Sequence, residues 1–175
     1  MVARTPRGLV IIHTGDGKGK TTAALGMAVR AVGHGLRIAF VQFIKASSTG
    51  EHEALSRLAP NLQIFRMGRG LVIDEATPEH VAAAHEALAF VRTCLTDGQF
   101  DLVVADEILV AAGLNLLARE EVESLLAARP PAVHLILTGR GAWDALVERA
   151  DLVTEMRLVK HPYQQGIEAQ AGVEF

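Results

Sequence analysis

The stretch His13-Thr14-Gly15-Asp16-Gly17-Lys18-Gly19-Lys20-Thr21-Thr22 combines residue types at a spacing suited to chemistry on phosphate. Gly15, Gly17 and Gly19 have no Cβ, so their amides can turn inward and approach an anion closely. Lys20 would neutralise the charge of a terminal phosphate, and the Thr21 hydroxyl would reach a bound Mg²⁺. The apolar run Leu9-Val10-Ile11-Ile12 comes before, and Ala23 to Arg30 follows with helical spacing. Strand, glycine-rich turn and helix in that order make a phosphate-binding loop, to which the helix adds its positive N-terminal end. The expected nucleotide contacts are Thr14, Gly15, Asp16, Gly17, Lys18, Gly19, Lys20, Thr21 and Thr22. A plain glycine-rich turn on a basic patch would not need lysine, hydroxyl and helix to fall in sequence.

The loop departs from the common pattern, Gly-x-x-x-x-Gly-Lys-Ser/Thr, in one place. Thr14 stands where the first glycine belongs, and Gly15 comes one residue late. A shorter cradle has fewer inward amides, so a triphosphate is not expected to lie in it as it does in ordinary nucleotide hydrolases.

Other chemistry-bearing residues sit where strands end. Phe100 to Ala105 is an apolar strand that delivers Asp106 and Glu107. Such acids complete a Mg²⁺ shell in phosphate-loop proteins, or else favour the positive end of a helix; beside this loop the metal role is expected, with Thr21 as the third oxygen. Arg140, in Thr138-Gly139-Arg140-Gly141, either reaches the nucleotide phosphates or is a surface arginine in a turn. Lys45 closes the run Gln42 to Lys45 and could touch phosphate or a substrate side chain. No histidine pair has zinc spacing, and His13 reads as a packed strand residue. No Ser/His/Asp or Cys/His arrangement marks a protein nucleophile. Whatever reacts with the nucleotide is then not a side chain.

The elements that must position these groups alternate. Arg37 to Ile44, Leu62 to Phe65, Val133 to Leu137 and Leu152 to Leu158 read as further strands. Helices are expected after Gly50 towards Pro60, from Thr77 to Gly98, between Glu107 and Pro130, and around Trp143 to Arg149. Val81, Ala84, Leu88, Val91 and Leu95 step by three and four along one buried stripe. Near-continuous apolar strands imply a sheet with helices on both faces. The predicted fold is α/β, a doubly wound, mainly parallel sheet in one domain of residues 1–175, with ligands at the carboxyl ends of the strands. Its 17 basic and 20 acidic residues leave a net charge of −3, which argues against nucleic acid. No apolar stretch is long enough to span a bilayer, and the start lacks a signal segment. Its 1 cysteine, Cys94, excludes an internal disulfide framework and reads as a small buried hydrophobe. A cytoplasmic location is expected.

Thr14 to Thr22 resembles the loop of the P-loop corrinoid adenosyltransferases. So do Val41-Gln42-Phe43-Ile44-Lys45, Val103-Val104-Ala105-Asp106-Glu107, Thr138-Gly139-Arg140-Gly141 and the tail from Val159-Lys160-His161-Pro162 through Gly166 to Phe175. The similarity runs from Gly8 to Phe175. It implies a RecA-like fold and a reaction in which ATP and a corrinoid reduced to Co(I) give an adenosylcorrinoid and triphosphate. It also implies dependence on Mg²⁺ or Mn²⁺, a homodimer, and a flavoprotein reductase as a partner. Cobalt(I) would attack the ribose 5′ carbon itself, which suits a chain without a nucleophilic side chain. Lys20, Thr21 and Glu107 carry over as the residues acting on phosphate and metal, with Asp106 beside them. The short loop is expected to hold the outermost phosphate deepest, leaving the 5′ carbon open to the corrinoid.

Two departures stand out. Members of that family carry a Phe-x-Trp pair after a glycine; here the matching stretch is Gly68-Arg69-Gly70-Leu71, with Arg69 and Leu71 at the aromatic positions. Little chain precedes the first strand, so an N-terminal lid over the site is expected to be short or absent. Two other functions fit a phosphate loop: a RecA-like ATPase in which Glu107 activates water, and a non-catalytic, nucleotide-gated module that binds a corrinoid.

Overall fold

The computed structural model describes residues 7–47, 49–70, 72 and 75–174. Its strands are β1 (Val10–Thr14), β2 (Ile38–Gln42), β3 (Leu62–Arg66), β4 (Leu102–Asp106), β5 (His134–Thr138) and β6 (Leu152–Glu155). Between them lie helices α1 (Lys20–Val32), α2 (Gly50–Ser56), α3 (Pro78–Thr96), α4 (Ile108–Gly113), α5 (Arg119–Ala128) and α6 (Asp144–Glu148). A 3₁₀ turn, Pro162–Gln165, follows β6. The strands form one six-stranded sheet in the order β3-β2-β4-β5-β1-β6, and every pairing is parallel, beyond the mainly parallel sheet expected.

Each inner strand sends alternate residues to opposite faces, and both faces are covered. Ile11, Ile38, Phe40, Leu102, Val104 and Ile136 meet Ala24, Ala28 and Ala31 of α1. Ile12, Ala39, Val41, Val103, Leu135 and Leu137 meet α3, α4, α5 and α6 on the other face. The small alanines let α1 lie close on the sheet, so its N-terminus sits directly beyond the end of β1. On α3, Ala84, Leu88, Val91, Cys94 and Leu95 are buried and Val81 is half-buried, as the stripe predicted.

Several boundaries differ from the sequence reading. β1 runs on through His13 and Thr14, and β4 takes in Asp106. Phe43 and Ile44 are buried but leave the sheet. There Gly70 N–H bonds the Ile44 carbonyl at 2.8 Å, and Gly68 lies so close to the Ile44 carbonyl that a Cβ would overlap it. The short helix ends at Ser56 rather than near Pro60, and β6 ends at Glu155 rather than Leu158. Among the described residues no helix is long and apolar enough to cross a membrane.

The chain passes from β1 across β5 and β4 to β2, and returns to β6 on the other side of β1. That reversal opens a crevice at the carboxyl ends of β1, β4 and β5. Thr14, Asp106 and Thr138 all end their strands there.

Candidate functional site

The turn from Gly15 to Gly19 joins β1 to α1, and the segment after β6 braces it. Gly17 N–H donates to the Met156 carbonyl at 2.7 Å. At Gly15, with φ of +95°, a Cβ would overlap the same carbonyl, and at Gly17 one would lie 2.7 Å from the Arg157 backbone. These two glycines therefore admit a neighbouring segment as well as turning the loop. The Gly17 amide, already satisfied, is one fewer for a phosphate. Lys20 lies over the loop, its Nζ donating to the carbonyls of Gly15 at 2.6 Å and Gly17 at 2.8 Å. Burial and the nearby Arg140 charge lower its pKa, against the pull of Asp16 and Glu107.

Asp106 is fully buried. Its carboxylate accepts from the Thr138 hydroxyl at 2.7 Å, the Thr21 hydroxyl at 2.9 Å and the Gln42 amide at 3.3 Å. Burial raises the Asp106 pKa, and these three donors oppose the rise. Glu107 follows with φ of +63°, a left-handed conformation rare outside glycine, asparagine and aspartate. Its N–H is held by the Thr138 Oγ1 at 2.8 Å. Burial raises its pKa first and the Asp106 charge second, while Lys45, Lys20 and Arg140 pull it down. Two adjacent acids are thus raised together at the mouth of the loop.

The remaining sequence-predicted residues surround this pair. Lys45 lines the cleft but is engaged with Glu51 at 2.7 Å, a partner not anticipated from the sequence. Burial pushes the Glu51 carboxyl up, and bonds from Lys45, Thr49 and its own backbone more than reverse this, leaving it at about 2. Arg140 is exposed, 3.9 Å from the exposed Asp16. Thr22 and Lys18 line the cleft with Lys20 and Thr21; the cleft holds about 430 Å³. A second hollow of about 460 Å³ lies between Asp16, Arg140 and the tail residues His161 and Tyr163. His13 is buried, as expected of a packed strand residue, and both its ring nitrogens lack a hydrogen-bond partner among the described residues. Arg69 is exposed, whereas Leu71 and the segment Met1 to Pro6, on which the lid expectation falls, lie outside the described residues.

The profile of ATP:corrinoid adenosyltransferase BtuR/CobO/CobP matches residues 6–175. A corrinoid adenosyltransferase of Pseudomonas aeruginosa is 42% identical, with 99% of this chain and 86% of that protein aligned. The corrinoid adenosyltransferase of Escherichia coli K12 is 39% identical over 99% of this chain and 88% of its own. Corrinoid adenosyltransferase CobA of Salmonella typhimurium is 40% identical with the same coverage. The chain belongs to the ATP:corrinoid adenosyltransferase family. In fold it is also similar to the flagellar accessory protein FlaH of Methanocaldococcus jannaschii, with a TM-score of 0.56 at 12% identity over 88% of this chain and 73% of that one. That likeness concerns the fold alone and agrees with the RecA-like sheet expected.

In this adenosyltransferase the structure adds residues that sequence reasoning did not single out. Thr138 bridges Asp106 and Glu107, Gln42 is the third donor to Asp106, and His52 stands behind Gln42 at 2.6 Å. The tail crosses the loop, where Glu174 accepts from Lys18 at 2.8 Å. A polar residue at the carboxyl end of an apolar strand was the available signal for Thr138 and Gln42. Glu174 lies in the tail that carries the family resemblance, but nothing local marks its partner, which lies 156 residues away.

Proposed function

We propose that this chain transfers the 5′-deoxyadenosyl group of ATP to the Co(I) of a corrinoid and releases triphosphate, in adenosylcorrinoid synthesis or salvage. The supporting observation is the meeting of Lys20, Thr21 and Glu107 at one cleft, with Asp106 buried behind the Thr21 hydroxyl, in a chain of this family. Residues 1–175 act as one domain. The nucleotide is held by its polyphosphate end, through Lys20 and the N-terminus of α1, with Lys18, Lys45 and Arg140 contributing charge around it. The short loop places the outermost phosphate deepest and leaves the ribose 5′ carbon facing the corrinoid. Cobalt, part of the substrate, supplies the electron pair of the new carbon–cobalt bond as the carbon–oxygen bond breaks and triphosphate leaves. The protein's work is to align the two reacting atoms, hold the leaving group's charge and exclude water.

Mg²⁺ or Mn²⁺ belongs to the same proposal. The donor set fits a hard cation, with two carboxylates and a hydroxyl, and both acids are raised by burial in a way that a cation would relieve. Thr21 and the Asp106–Glu107 pair would hold it, and when bound it would neutralise charge on the leaving triphosphate. A cytoplasmic homodimer fed by a flavoprotein reductase completes the reading, on the ground of kinship.

The deciding experiment incubates the chain with ATP, Mg²⁺ and a chemically reduced corrinoid, following adenosyl–cobalt absorbance and the phosphate product. Equal amounts of adenosylcorrinoid and triphosphate are expected. ADP and orthophosphate formed at the same rate without corrinoid would instead mark an ATPase. Binding of both ligands without product would mark a nucleotide-gated module. A nucleotide-bound structure with the ordinary hydrolase orientation would overturn the placement of the phosphates.

A further inference from the structure

Thr49-Gly50-Glu51-His52 and Thr77-Pro78-Glu79-His80 place the same device at the starts of α2 and α3. In each, the histidine Nδ1 accepts the threonine backbone N–H, at 2.9 Å for His52 and 3.3 Å for His80. At α3 the histidine ring makes no hydrogen bond beyond that threonine among the described residues. At α2 the other ring nitrogen is also used. His52 Nε2 lies 2.6 Å from Gln42 Oε1. An amide oxygen only accepts, so Nε2 carries the proton, in agreement with Nδ1 acting as acceptor. Gln42 is 1% exposed, and with its oxygen turned to His52 its NH₂ faces Asp106 Oδ2 at 3.3 Å. Flipped, the same amide would set oxygen against carboxylate oxygen.

We propose that His52 is a positioning residue for the nucleotide and its metal: it fixes the orientation of the Gln42 amide and thereby keeps a donor on Asp106. The inference rests on the reading of the site given under Proposed function. It also explains how α2, whose Glu51 pairs with Lys45 on the cleft, is tied to the carboxylate that faces Thr21. Burial lowers the His52 pKa, which keeps the ring in the neutral form the arrangement needs.

The test measures Mn²⁺ affinity by calorimetric titration of the full chain with one equivalent of ATP and no corrinoid, against a blank of Mn²⁺ with ATP alone, with unfolding temperature recorded alongside. His52→Ala is expected to weaken Mn²⁺ binding about ten-fold, the usual scale for a residue that orients a metal-site group. His52→Gln, which keeps an N–H towards Gln42, should lose less than His52→Ala. His80→Ala removes only the helix cap, so it should lower the unfolding temperature and leave Mn²⁺ affinity unchanged. In a Gln42→Ala background, His52→Ala should cost no further Mn²⁺ affinity. Wild-type affinity in His52→Ala, or an additive loss in the Gln42→Ala background, would overturn the positioning role while leaving the site reading intact. A wild-type chain that binds Mn²⁺ no tighter with ATP than without it would remove the site reading itself, and this inference with it.

Discussion

Thr138 holds two neighbours with one oxygen, accepting from the Glu107 N–H and donating to Asp106. Thr138→Val keeps the shape and loses both bonds, leaving a buried N–H without a partner. Urea unfolding is expected to show a loss of about 1–3 kcal/mol, and Thr138→Ser should recover most of it. Lys20 bears on chemistry more than on folding, because among the described residues its hydrogen-bond partners are only loop carbonyls. Lys20→Ala should lower the adenosyl-transfer rate about 100-fold, the scale of removing one preorganised charge partner, with little change in unfolding temperature. An unaltered yield of adenosylcorrinoid in that variant would remove the polyphosphate grip from the account. Lys20 and Thr21 were legible as candidates from the loop's spacing, and the two acids from their place at the end of an apolar strand beside that loop. Their mutual geometry was not, because the loop and the acids are joined by a bond between residues 85 apart, Thr21 and Asp106.

At the scale of elements, α2 carries a pH-sensitive contact. The Glu51 carboxyl falls from an ordinary 4.5 to about 2 in the folded chain. A lowered carboxyl stabilises the fold fully above its ordinary value and ceases to do so as pH falls through its folded value. Melting temperature recorded from about 4.5 down to about 2 should fall in the wild type, and fall less in Glu51→Gln, which has no carboxyl to protonate. Equal losses in the two would show that the pair with Lys45 plays no part. Apolar patterning located every strand and the long helix, yet it overran β2 and β6. Phe43 and Ile44 are apolar because their side chains are buried in the core on the α3 face, whereas Leu158 is apolar and exposed. Periodicity reports burial and helical or extended pitch, and a buried turn satisfies it as well as a strand does.

For the whole molecule, the inner strands buried on both faces are the source of stability and the frame of the site. Leu95 of α3 is fully buried against the α3 face of the sheet. Leu95→Ala should cost about 2–5 kcal/mol in urea unfolding, from lost burial and the cavity left behind. Cys94 beside it is pushed up to about 11 by burial first and the Asp97 charge second. Its thiol should stay unmodified by iodoacetamide at neutral pH until the chain unfolds, and rapid labelling of the native protein would contradict its place in the core. Strand content and the phosphate loop were determined by the sequence alone, since each depends on residues close together in the chain, and the apolar runs of the strands implied that both faces would be covered. The tertiary structure alone decided which polar groups meet: Gln42 and Thr138 at Asp106, His52 behind Gln42, Glu174 across the loop at Lys18. The physical reason is strand order. A side chain's own pattern tells which face it takes, but its partner depends on which strands lie side by side, and that is set by the packing of the entire sheet.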